Sequence, residues 1–327
     1  MATNKKQVLA STTMAKAGWD FIATRDDVEA RPYTAGTAAA EFHAMLRELD
    51  GIALGGPSPF GAAEVAAAPR LKVVTRLGVG YDAVDVPALT ARKIPLMVIG
   101  TANSVSVAEQ TLYLMMTVAK RGRRLHDLVV AGKWGEKAAD RPVEFFGKTL
   151  LIVGFGRIGT RVAKRCLGLE MTVLVYDPYV KAETIRAAGC EPVADLDAAL
   201  PRADFVTIHC PKNKETVGMF GAARLARLKP SAYLVNAARG GLVEEAALYQ
   251  ALTTGKLAGA GLDVFEQEPT PTDNPLLKLP NLVASPHMAA GTVESAERAG
   301  VMAMRNILSV LDGAPIRENV INPEVFD

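Results

Sequence analysis

Apolar positions in this chain follow two rhythms that alternate from end to end. Short unbroken runs at 7–11 (QVLAS), 50–54 (DGIAL), 71–75 (LKVVT) and 94–98 (IPLMV) read as buried strands, because a parallel strand covered on both faces shows no polar alternation. Between them, Thr37 to Leu49 sets Ala40, Phe42, Met45, Leu46 and Leu49 near one helical face, and Gly61 to Ala67 gives a second, alanine-rich helix. A long helix is expected from Ser104 to about Val130, capped by Asn103 or Ser104 with Glu109 in its early turns. Residues 134–147 are polar and irregular. The second half repeats the pattern, with strands at 150–153, 171–176, 203–209, 232–236, 257–264 and 282–285 and helices at 161–169, 182–188, 242–252 and 292–311. Such alternation predicts α/β architecture with mostly parallel sheets.

One stretch carries more than periodicity. TLLIVGFGRIGTRVAKRCLGLEMTVLVYD, from Thr149 to Asp177, reads strand, turn, helix, strand, with Gly154, Gly156 and Gly159 spelling G-x-G-x-x-G in the turn. The first glycine permits the tight turn, the second lets backbone approach a pyrophosphate, and the third lets the helix pack close to its strand. Asp177 ends the second strand, where a carboxylate accepts both ribose hydroxyls and repels a 2′-phosphate, so NAD is expected over NADP.

The 327 residues suffice for two domains, and 49% hydrophobic with 22% charged residues is globular composition, excluding disorder and fibrous repeats. A formal net charge of +2 asks for no nucleic acid, and Arg121, Arg123 and Arg124 read as a solvated helix end. The N-terminus lacks the apolar region of a secretory signal, and no apolar run approaches a membrane span. Cys166, Cys190 and Cys210 are odd in number and widely spaced, which fits a reducing compartment, so a cytoplasmic location is expected. No H-E-x-x-H or Cys/His cluster is present and no metal is expected; G-x-S-x-G is absent too.

Polar residues gather just past predicted strand ends, where an open α/β sheet presents its ligand site. Asn236 to Gly241 follow one strand, Asp263, Glu266 and Glu268 the next, and Ser285-Pro286-His287 the last. Arg239 is a candidate clamp for a carboxylate through two parallel hydrogen bonds, with a surface ion pair as the plainer alternative. His287 with Glu268 makes a candidate acid/base pair, since a carboxylate orients a histidine and supports its charged form. His43 and His126 read as structural, and His209 as intermediate, at the cofactor edge. In the first half, Arg76-Leu77-Gly78-Val79-Gly80 forms a glycine-rich turn whose N–H groups suit an anion, or an ordinary loop.

With LGVGYDAVD, NSVSVAEQT, VGFGRIG followed by Asp177, HCP, NAARGG, GLDVFEQEP and SPHMAAGT in that order, nearly the whole chain resembles the D-2-hydroxyacid dehydrogenases, nearest their phosphoglycerate dehydrogenase branch. The resemblance implies two Rossmann-like or flavodoxin-like domains: a discontinuous substrate domain, 1–101 and 290–327, and an NAD-binding domain inserted between, 102–289. It implies hydride transfer between NAD(H) and a small 2-hydroxy or 2-oxo acid. Arg239 would bind substrate, His287 serve as acid/base and Glu268 orient it, while Gly78, Val79 and Gly80 take the carboxylate. Arg157 and Ile158 would meet the pyrophosphate and Asp263 the nicotinamide amide, and Val107, His209, Cys210, Ala237, His287 and Ala290 would border the cofactor. A homodimer through the cofactor domain and its long helix is also implied.

Two departures bear on the substrate. Where that branch has an arginine after the strand ending at Leu54, this chain has Gly55-Gly56-Pro57-Ser58-Pro59, although Arg76 keeps the second basic position; and Tyr81 stands where a smaller residue is usual. No regulatory domain is expected after Asp327. Hydroxypyruvate, glyoxylate and 3-phosphoglycerate all remain candidates. Two other readings stay open: an NAD(H)-sensing scaffold of the C-terminal-binding-protein type, and a formate-dehydrogenase-like enzyme, against which Glu268 stands where that branch has glutamine.

Overall fold

The computed structural model describes residues 5–56, 58–138 and 141–327; Pro57, in the turn that departs from the phosphoglycerate branch, the first four residues of the N-terminus read for a signal, and residues 139–140 of the irregular passage lie outside them. The chain divides into two compact units, Met1–Asn103 with Gly291–Asp327, and Ser104–Ala290.

In the first unit, strands β1 (Lys6–Ser11), β2 (Val28–Tyr33), β3 (Gly51–Leu54), β4 (Val73–Arg76) and β5 (Leu96–Met97) form one sheet in the order β2-β1-β3-β4-β5, every pair parallel. Successive residues serve opposite faces: Val8, Ala10, Ala53, Val73 and Met97 enter one apolar cluster, and Leu9, Ile52, Leu54, Val74 and Leu96 another. This is why these strands read as unbroken apolar runs. The Val293–Leu311 helix supplies Ala303, Met304, Ile307 and Leu308 to the first cluster. The tail behind it is held through buried asparagines, with Asn322 Oδ1 accepting from Leu96 N–H at 2.8 Å and its Nδ2 donating to Ile94 O at 3.0 Å. β2 escapes the run pattern because it is an edge strand: it carries Glu29, Arg31 and Pro32, as an edge does when it resists further pairing.

The second unit holds β6 (Thr149–Val153), β7 (Thr172–Tyr176), β8 (Glu191–Pro192), β9 (Phe205–Ile208), β10 (Tyr233–Asn236), β11 (Gly259–Leu262) and β12 (Leu282–Ala284), ordered β12-β11-β10-β9-β6-β7-β8 and parallel throughout. Leu151 and Val153 of β6 face one core, Leu150 and Ile152 the other. The order is that of a Rossmann sheet, with the chain reversing direction of travel between β6 and β9.

The single helix expected from Ser104 to about Val130 is two, Ser104–Ala119 and Gly122–Val130. Arg121 between them is left-handed, φ 52°, the conformation in which helices commonly end. Asn103 does not cap it: its Oδ1 is buried and makes no hydrogen bond. Among the described residues no helix is long and apolar enough to cross a membrane.

Candidate active site

The carboxyl ends of β6 and β9 lie side by side at the point where strand order reverses, and the glycine turn sits there. Gly154 has φ +98°, and a side chain on it would bring Cβ within 2.7 Å of Cys210 N. On Gly159, Cβ would lie 2.1 Å from the Gly154 carbonyl oxygen. Gly156 differs, with nothing within 4 Å of its Cβ position. The turn is thus closed against the sheet and open on the other side, just before the Gly159–Gly168 helix, a cradle that fits a pyrophosphate. Asp177 accepts from Phe155 N–H at 2.7 Å through Oδ2 and from Tyr179 N–H at 2.9 Å through Oδ1. Those bonds fix the carboxylate and use two of its roughly four acceptor positions, leaving the others for ribose hydroxyls.

Other residues expected at the cofactor fall into two groups. Val107 and Ala237 are buried in one apolar cluster with Phe155, and Ile158 and Ala290 pack against it. Cys210 packs against the opposite cluster, its Sγ 3.9 Å from Met219 Sδ, and burial pushes its thiol up to about 11. His209 turns its ring inward: Nε2 lies 3.0 Å from Thr207 Oγ1, Nδ1 is shielded without a partner, and burial lowers its pKa to about 3, so it is neutral. Its backbone, not its ring, borders the Gly154 turn. Arg157 is exposed.

Further along the same set of strand ends, β11 leads into Asp263, which is fully buried. Its carboxylate accepts from Ser285 Oγ, from Met288 N–H at 2.9 Å and from Ala289 N–H at 2.8 Å, while its carbonyl accepts from His287 N–H at 2.7 Å. Gln110 Nε2 reaches Ser285 Oγ at 3.1 Å. Asp263, expected at the nicotinamide amide, thus gives three of its roughly four acceptor positions to the loop after β12. That loop holds His287 in the left-handed region, φ 53°, a conformation that persists where surrounding bonds over-determine it. His287 Nδ1 meets Glu268 Oε2 at 2.7 Å, and Glu268 Oε1 accepts from Phe265 N–H at 3.0 Å. With Nδ1 engaged, Nε2 is the nitrogen available for proton exchange. Arg239, half-buried after β10, donates through Nη1 to Ala238 O at 2.7 Å, and Asn236 braces the loop by donating to Arg239 O at 2.9 Å.

Gly78, Val79 and Gly80 belong to the other unit. There Arg76, buried, donates through Nε to Gly80 O at 3.0 Å and through Nη2 to Gly56 O, so it braces two glycine turns from within. No motif encodes this brace or the contacts of Tyr179. A signal for Tyr179 was present: Asp-Pro-x after a strand favours an aspartate bonding the N–H two residues on. Among the described residues no His, Cys, Asp and Glu grouping is fit to hold a metal.

A dinucleotide cradle and a carboxylate-paired histidine along one set of strand ends define a nicotinamide-dependent oxidoreductase fold. Residues 112–289 match the family model of the D-isomer specific 2-hydroxyacid dehydrogenase NAD binding domain. The chain is 40% identical over 284 residues to a D-3-phosphoglycerate dehydrogenase of Archaeoglobus fulgidus, covering 86% of this chain and 54% of that one. It is 40% identical over 272 residues to a glyoxylate reductase of Korarchaeum cryptofilum, covering 82% and 81%. Among solved structures, D-lactate dehydrogenase from Aquifex aeolicus, complexed with NAD and lactic acid, superposes with a TM-score of 0.85 at 30% identity, covering 96% of this chain and 99% of that one. The chain belongs to the D-isomer-specific 2-hydroxyacid dehydrogenase family, and its cofactor is NAD. It spans about half the length of the curated phosphoglycerate dehydrogenases it matches.

Proposed function

We propose that this chain is an NAD-dependent D-2-hydroxyacid dehydrogenase acting on a short, unphosphorylated 2-oxo acid such as glyoxylate or hydroxypyruvate. The pair His287–Glu268, joined at 2.7 Å, carries the reading. In reduction, protonated His287 donates to the 2-oxo group and then yields its proton at Nε2; in oxidation, neutral His287 takes the hydroxyl proton. Glu268 keeps the ring oriented through its contact with Nδ1. Arg239 binds the carboxylate and steadies negative charge as it develops on the reacting oxygen. Bound NAD(H) supplies or receives the hydride. Gly154, Gly156, Arg157, Ile158 and Gly159 hold its pyrophosphate, Asp177 its adenosine ribose, and Val107, Cys210, Ala237 and Ala290 line its course.

On this reading the unit Ser104–Ala290 is the cofactor domain and the discontinuous unit the substrate domain, with Gly78–Gly80 receiving the substrate carboxylate through N–H groups. Arg76 supports an unphosphorylated substrate in that its Nε and Nη2 are already engaged with the carbonyls of Gly80 and Gly56. A second reading, 3-phosphoglycerate, is favoured by the 40% identity to a phosphoglycerate dehydrogenase. The scaffold reading is set aside, since the relatives are named as dehydrogenases and reductases. We also propose a cytoplasmic homodimer, the second copy covering Tyr113, Met116, Val129, Val130 and Trp134, which are exposed along the helices Ser104–Ala119 and Gly122–Val130 and the turn after them. The deciding experiment is NADH oxidation with glyoxylate, hydroxypyruvate and, in the reverse direction, 3-phosphoglycerate with NAD. Turnover with the short acids is expected; activity confined to 3-phosphoglycerate would select the second reading, and none with any acid would remove the enzyme assignment.

A further inference from the structure

The loops flanking the glycine turn carry a second carboxylate that the dinucleotide motif does not account for. Glu215 is exposed but not loose: its N–H donates to Asn213 Oδ1 at 2.9 Å, and its Oε2 accepts from the Tyr179 hydroxyl at 2.9 Å. Tyr179 is 80% exposed, so burial does not hold its ring in place. What holds it is polar at both ends, because its own N–H donates to Asp177 Oδ1 at 2.9 Å. One residue thereby fastens a carboxylate after β7 to a carboxylate after β9, the two strands on either side of β6. Glu215 and, less strongly, Asp177 both push the Tyr179 phenol above its usual range, which sets both charges within electrostatic reach of that hydroxyl.

We propose that Glu215, held in place by Tyr179, is a second determinant of cofactor choice, repelling the 2′-phosphate of NADPH alongside Asp177. The inference rests on the NAD assignment. A phosphate monoester carries about −1.5 to −2 charges at pH 7. Exposed charges act on it within a Debye length of about 8 Å at physiological salt. The neutral 2′-hydroxyl of NADH meets no such repulsion, so Glu215 separates the two cofactors without adding affinity for either. Removing Asp177 alone leaves the Glu215 charge standing in the same rim.

The test is calorimetric titration of the purified protein with NADH and with NADPH, no substrate acid present, at low and at high salt. Glu215→Gln is expected to tighten NADPH binding about three- to fivefold at low salt, an effect that high salt screens away, while NADH affinity moves by less than about twofold. Tyr179→Phe, which releases Glu215 without removing its charge, should give a smaller gain for NADPH. Asp177→Asn with Glu215→Gln should bind NADPH more tightly than Asp177→Asn alone. Unchanged NADPH affinity in Glu215→Gln, or equal changes for both cofactors, would overturn the proposal, the latter showing that Glu215 only shapes its loop. A wild-type protein that binds neither cofactor would remove the NAD assignment and the rim with it.

Discussion

His287 concentrates what can be tested at single residues. Its Nδ1 is fixed by Glu268 and its backbone by Asp263, so the ring is held ready before any ligand arrives. His287→Ala is expected to lower turnover by ~10²–10⁴-fold while NADH affinity, measured by titration, changes little; near-normal turnover would exclude it as the acid/base. In Glu268→Gln the ring keeps a hydrogen-bond partner but loses the carboxylate that holds it, so turnover in reduction should fall while NADH affinity, measured by titration, changes little. Unchanged turnover would separate Glu268 from the proton transfer. These two residues were legible in the sequence because His, Glu and Arg past strand ends have few structural reasons to gather. Asp263 was legible as a polar residue at a strand end, but not its occupation: three donors from residues 285–289 converge on its carboxylate, a contact across some two dozen positions that no local pattern encodes. Arg76 is similar, since its partners are carbonyls, which sequence does not distinguish.

At the scale of elements, the interior strands and the edge strands β5 and β12 were readable, and the edge strands β2 and β8 were not. β3, β4, β6, β9 and β10 bury both faces and so announce themselves as apolar runs, whereas β2, with its glutamate, arginine and proline, and the two-residue β8 carry no run at all. The helix beginning at Ser104 was overextended because apolar spacing continues through Arg121 while the backbone does not. The glycine turn gives the sharpest prediction here. Gly159→Ala sets a methyl group 2.1 Å from the Gly154 carbonyl oxygen, so the turn or the Gly159–Gly168 helix has to move. Overpacking of this sort destabilises by ~1–3 kcal/mol, and NADH binding should weaken with it. Thermal melting and NADH titration check both, and a variant unaltered in each would mean that helix and strand do not pack as described.

For the whole molecule, the two-sheet α/β architecture followed from the alternation of strands and helices, and its parallel order is what places the dinucleotide turn and His287 on the same strand ends of one sheet. The proposed dimer predicts a sedimenting mass of twice the 34.7 kDa chain, reduced to one chain by Tyr113→Glu with Met116→Glu; a monomeric wild type would refute it. A second prediction concerns acid. Lys6 and Arg25 bridge Asp27 and Asp312 at 2.7–3.2 Å and hold both carboxyls well below the usual carboxylate range. The contribution is complete above the unfolded value of about 3.9 and is lost as pH falls beneath it. Asp312→Asn should therefore flatten the loss of stability below about pH 4, followed by denaturant unfolding across that range; an identical slope would show these exposed pairs to be inert. The helix Val293–Leu311 has one further consequence. Emerging from a ribosome, the stretch 104–290 holds its entire sheet in continuous sequence and can close as soon as it is made. The first hundred residues cannot, because the helix that covers Val8, Val73 and Met97 follows that whole stretch in the chain. While residues 104–290 are being made, that face of the earlier sheet stays uncovered, an apolar surface waiting on a helix nearly two hundred residues downstream.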